Sequence, residues 1–105
     1  MNNLIDEFNS TKLPERWHSL SEEDKIIFEK ELGREVMNKH DLFGRECKAL
    51  ARRYDLDDFL YYINEESKKL VVVHLGFPEN PLNSSVFPTH TVYETVKSFI
   101  ENESF

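Results

Sequence analysis

Apolar positions recur with two different periods along the chain, and the change of period divides it. Between residues 21 and 38, Ile27, Phe28, Leu32 and Val36 fall at three- and four-residue spacing, with Glu31 and Glu35 on the boundary of the stripe and Lys25, Glu29 and Lys30 outside it. That is the period of an amphipathic helix. Ser21-Glu22-Glu23-Asp24 opens it with a hydroxyl to accept a backbone N–H and three carboxylates at the positive end of the helix dipole. Gly33 costs about 1 kcal/mol relative to Ala in a helix interior, which predicts either a close packing contact or a break. From Cys47 the period drops to two, the signature of strands. In a first strand Cys47, Ala49 and Ala51 share one face and Lys48, Leu50 and Arg52 the other. With Arg45 and Arg53 nearby, its cations suit a sheet edge. A second strand, Phe59–Ile63, sets Phe59, Tyr61 and Ile63 against Leu60 and Tyr62, apolar on both faces, and a third, Leu70–Leu75, is alike; both read as central. One helical layer covers one face only, so the loop, a second helix or another protein must shield the other.

The flanks are less regular. Leu4, Ile5 and Phe8 form one side of a short helix that Asn9-Ser10-Thr11 and Pro14 interrupt, and Trp17 and Leu20 pin the approach to the long helix. Residues 76–90 carry three of the four prolines and read as a long loop with a short edge strand near Ser85–Phe87. The capping-box pattern Thr91-Val92-Tyr93-Glu94 predicts a closing helix from Thr91 to about Asn102, with Val92, Val96, Phe99 and Ile100 on its apolar face. The expected fold class is α+β: an N-terminal helix or helices, a three- to four-stranded antiparallel meander and a C-terminal helix, forming one domain over 1–105.

Charge narrows the partners. Asp and Glu number 20 against 13 Lys and Arg, a formal charge of −7, which disfavours nucleic acid and anionic membranes and favours a basic partner. Arg45, Lys48, Arg52 and Arg53 could cradle a phosphate, but Asp55, Asp57 and Asp58 adjoin them, and internal ion pairing is the simpler use of these charges. The aromatic content of 12% argues for a packed core. Cys47 is alone, which suits a reducing cytoplasm and an inert thiol. No run approaches a membrane span, and the N-terminus lacks the pattern of a signal peptide.

Candidate chemistry is sparse. His40 with His74 would be the acid/base pair of a ribonuclease-like site, although their spacing does not require it. Asp55, Asp57 and Asp58 resemble the start of a calcium loop without its Gly and Glu, and a turn closed by Arg52 or Arg53 accounts for them better. No catalytic residue, metal or cofactor is therefore assigned. Carboxylates cluster at the predicted turns, and Asp55, Asp57, Asp58, Glu65 and Glu66 are the expected contacts to a basic protein.

Two resemblances add to this. His40, Leu42, Gly44 and Arg45, then Ala49 to Arg53 with Asp55, Asp57, Asp58 and Leu60, then Val72 to Leu75, and finally Phe87, Pro88, Thr89, Tyr93 and Phe99 resemble a group of small bacterial proteins with an ALARRxDxDDxL and VVHL pattern, over roughly residues 38–100. The chain departs from that pattern at Gly76-Phe77, where the group has Thr-Trp. A small, acidic, single-domain chain of this kind also resembles the immunity proteins of bacterial toxin systems such as contact-dependent growth inhibition. That second resemblance implies a cytoplasmic inhibitor of a cognate toxin domain, commonly a basic nuclease. The alternatives are an adaptor or ligand-binding domain and, third, a small RNA-processing enzyme.

Overall fold

A computed structural model describes residues 4–36, 40–65, 68–76 and 88–104. In chain order these form α1 (Leu4–Asn9), β1 (Trp17–Ser19), α2 (Glu22–Glu35), β2 (Cys47–Arg53), β3 (Asp58–Ile63), β4 (Lys69–His74), β5 (Thr89–Tyr93) and α3 (Val96–Glu103). The strands make one antiparallel meander in the order β1-β2-β3-β4-β5. The α+β class and both terminal helices are as the sequence indicates, with five strands rather than three or four. Among the described residues no helix is long and apolar enough to cross a membrane.

The demand for cover on both faces is met from within the chain. On one face α2 sets Leu32 and Val36 against Phe59, Tyr61, Ile63, Val71 and Val73, with Leu20, Leu42 and Leu75 around them. On the other, α1 and α3 set Leu4, Phe8, Val96 and Phe99 against Leu60, Tyr62, Leu70, Val72 and Trp17. Period-two alternation along β3 and β4 thus feeds two cores, one for each helical layer. Trp17 is a strand residue, packed edge-on against Phe99 at 5.2 Å between ring centroids.

Several local expectations are corrected. β2 is not an edge strand, since β1 pairs with its Ala51–Arg53 end. Its alternation breaks where the register to β3 shifts between Ala49 and Ala51, leaving Leu50 as the extra residue of a β-bulge. Ala49 therefore faces α2, Leu50 and Ala51 face α1 and α3, and Arg52 returns to the α2 side over the rings of Phe28 and Phe59. The closing helix begins later than its capping pattern suggests. Thr89–Tyr93 is a strand, and the cap is Thr95, whose hydroxyl accepts the Ser98 N–H. On β5 Val92 is exposed and Tyr93 enters the core.

In α2 the Ser21 cap forms as expected, accepting the Asp24 N–H. Ile27 is exposed, whereas Glu35 is buried and accepts the Gly76 N–H at 2.9 Å. Gly33 neither breaks the helix nor permits close packing, because a Cβ built there meets nothing within 4 Å. The expected edge strand at Ser85–Phe87 and the site residue Glu66 lie outside the described residues.

Candidate functional site

Two turns hold the carboxylates singled out from the sequence, and they lie at opposite ends of the sheet. Asp55 and Asp57 belong to the β2–β3 connection, Asp58 opens β3 directly after it, and Glu65 belongs to the β3–β4 connection. The six residues of β3 hold them about 20 Å apart at the rise of an extended strand.

At the first turn the chain doubles back through Asp57, whose φ of 54° is the left-handed conformation that Asp tolerates better than most residues. Each carboxylate there meets a cation or a histidine. Asp55 accepts Arg53 Nε at 2.8 Å and Arg16 Nη1 at 2.9 Å, so a residue of the β1 approach clamps the turn from outside. Asp57 accepts Arg52 Nη2 at 3.0 Å, and Asp58 meets His74 Nδ1 at 2.7 Å. The Arg53 hydrogen bonds, joined by Arg16, hold the Asp55 carboxyl at about 2, well under the usual Asp range, against a smaller opposing effect of burial. The Arg52 guanidinium carbon lies 4.6 to 5.1 Å from the ring centroids of Tyr54, Phe59 and Phe28. Its buried Nε has no hydrogen-bond partner among the described residues, and ring faces lie against the charge there.

At the far turn Glu65 accepts both Nε and Nη2 of Arg45 at 2.9 Å each. That paired geometry lowers the Glu65 carboxyl and raises Arg45. The four cations considered for phosphate binding are thus each set against a carboxylate: Arg45 on Glu65, Lys48 on Glu46, Arg52 on Asp57 and Arg53 on Asp55.

The histidine pair does not assemble. His74 is paired across the strands with Asp58, on the side of the sheet that carries Leu70 and Val72, and so faces α1 and α3. His90 pairs with Val73, which faces α2. His40 packs on His90 at 4.8 Å between centroids, so it sits on the α2 side. The sheet separates the two candidate bases.

His40 instead ties a turn together. Its Nδ1 accepts the Leu42 N–H at 3.0 Å, which assigns the ring proton to Nε2, and Nε2 donates to the Pro88 carbonyl at 2.7 Å. Gly44 completes that turn with φ of +79°. These contacts give physical roles to the His, Leu and Gly of the first motif. Cys47 is half-buried, and burial pushes its thiol up to about 11, so it stays protonated near neutral pH.

Sequence reasoning missed Arg16 and Glu29. Arg16 is 39 residues from the Asp55 it clamps, and Glu29, 20 residues from Ala49, accepts its N–H at 2.9 Å. No local spacing signals either contact. Compared with family models, curated proteins and solved structures, the chain matches none.

Proposed function

We propose that this chain is a non-catalytic inhibitor of the immunity type, which binds and neutralises a cognate basic toxin domain, a nuclease, in the bacterial cytoplasm. The observation that carries the reading is the charge of −7 on 105 residues, a surplus that steers a cationic protein toward the chain and orients it on arrival. Pinning supports the assignment of contacts. Asp55, Asp57 and Glu65 are held by arginines yet keep side-chain exposures of 36%, 49% and 38%. A partner's Lys or Arg therefore meets acceptors that lose little freedom on binding. Asp58 and Glu66 complete the proposed contact set. The partner displaces or shares the outer cations, of which Arg16, itself 57% exposed, is the freest to move.

The test is co-expression with the protein encoded by the open reading frame immediately upstream, where this reading expects the toxin. The expected result is protection of the cell and a stable complex whose affinity falls as salt rises. Failure of the wild-type chain to protect overturns the reading, and binding without protection replaces it with the adaptor. Neutralising Asp57→Asn together with Glu65→Gln, two changes that respect the turn geometry, is expected to weaken the complex at least roughly tenfold. Unchanged affinity in a folded variant overturns the site while leaving the function standing.

A further inference from the structure

β1 is three residues long and pairs only with the Ala51–Arg53 end of β2. Among the described residues no strand lies beside Cys47–Leu50 on that flank. Two polar groups stand in for one. The Leu50 carbonyl accepts the Leu20 N–H at 3.1 Å, and the Ala49 N–H donates to Glu29 Oε2 at 2.9 Å, where a neighbouring strand would offer a carbonyl. Strand alternation turns the backbone groups of Cys47 toward the same open side. Along this flank runs a groove between α2 and β2 made of two adjoining hollows of about 360 and 180 Å³, with Glu29 lining both. Ile26, 57% exposed, borders the first and Phe43, 55% exposed, the second. The other charged residues along it are spoken for: Glu22 by Lys25, Lys48 by Glu46 and Arg45 by Glu65. Glu29 makes no ion pair within 4 Å among the described residues, although Lys48, held by Glu46, also feels its charge.

We propose that this groove receives an extended segment of a basic partner protein, added as a strand along Cys47–Ala49 with a lysine or arginine on Glu29. The exchange is self-consistent: a carbonyl of the incoming segment takes over the Ala49 N–H, and the released Glu29 carboxylate takes the incoming cation. Main-chain bonds supply the affinity in such strand addition, and alternate side chains supply the choice of partner. Ile26 and Phe43 give those side chains apolar ground, and Gly33, with open space in place of a Cβ, lets the segment approach the helix. The inference rests on the reading that the partner is basic, and it adds a contact beside α2 to those at the turns.

The probe is a capped peptide of alternating valine and lysine, about seven residues long, the reach of one strand, titrated into the isotope-labelled full chain. Saturable amide shifts centred on Cys47–Ala49 are expected, with affinity lost roughly tenfold in Glu29→Gln, which keeps an acceptor for the Ala49 N–H and removes only the charge. Glu101→Gln, on α3 at the opposite face of the sheet, leaves the affinity unchanged. The proposal is overturned by no shift at millimolar peptide, by shifts centred on the β5 edge or the β2–β3 turn, or by equal binding of a valine–glutamate peptide. Should the groove fail while the upstream toxin is still neutralised, this inference falls alone. Should the peptide bind in a chain that neutralises no toxin, the groove stands and the immunity reading falls.

Discussion

From Ala51 to Arg53, β2 has a strand on either side, and the turn beyond it sets each of its carboxylates against a cation or a histidine. From Cys47 to Leu50 the same strand has β3 on one side, and on the other a carboxylate and one loop amide. The bulge at Leu50 marks the change. The more heavily charged end is the one closed on itself, whereas beside the end with small residues and a lone Cys no neighbouring strand lies among the described residues on the flank away from β3. Density of charge in a sequence therefore locates where charges meet, and says little about which of them remain for a partner. What a partner can use is the exposed oxygen of a pinned carboxylate at a turn, or a backbone edge with no strand beside it.

The largest expected effect tests whether the wall of the open half is built by His40. His40→Ala leaves the Leu42 N–H and the Pro88 carbonyl without their buried partner and removes the ring that packs on His90. A destabilisation of about 2–3 kcal/mol is expected, read as a lower urea midpoint with unchanged slope. His74→Ala, on an exposed ring at the closed end, is expected to cost much less. Equal losses at the two histidines would dissolve the contrast between the two ends. Turnover of RNA that vanished in both variants would restore the enzyme.

Gly33→Ala sharpens the same contrast with opposite sign. Nothing within 4 Å opposes a Cβ at this helical position, so alanine is expected to stabilise the free chain by about 1 kcal/mol through helix propensity and a less flexible unfolded state. In thermal melts the midpoint rises. If the groove serves a partner, the same methyl intrudes on it and affinity falls while stability grows, a split that a purely structural glycine does not produce. A drop in stability would mean that the helix needs the glycine for reasons internal to the fold.

Much of the fold was legible because its signals are local. Period two in Phe59–Ile63 and Leu70–Leu75 placed both faces correctly, and the demand for cover on both sides followed from it. Ser21 capped α2 as read. The misreadings come from places where tertiary context outweighs local pattern. Thr91 and Thr95 each open a plausible cap, and pairing of Thr89–Tyr93 with β4 decides for the second. A bulge has no sequence mark in Ala-Leu-Ala, yet it moves Ala51 and Arg52 to the opposite faces from those expected. The described carboxylates lie at turns as read, and the closing of the first turn by Arg52 and Arg53, five and two residues from Asp57 and Asp55, was legible. The clamps of Arg16 on Asp55 and of Arg45 on Glu65 join residues 39 and 20 apart that no local spacing signals.

The smallest effect concerns the closed end itself. Arg53 and Arg16 take the Asp55 carboxyl from an ordinary 3.8 down to about 2. As pH falls below about 4, the unfolded chain takes up this proton first while the folded carboxylate stays charged. The unfolded state then binds more protons, and stability declines with falling pH until the folded carboxyl also titrates, near pH 2. Above pH 4 the contribution is complete and flat. Asp55→Asn should therefore lower the melting midpoint at neutral pH and converge with the wild type as pH approaches 2. The gap should also narrow in high salt, because the pair is partly exposed and screened. A carboxyl resonance of Asp55 with its midpoint at the ordinary value would mean that the arginines do not hold it. The β2–β3 turn would then be no more closed than the flank of Cys47–Leu50, and the distinction drawn between the two halves of β2 would have to be given up.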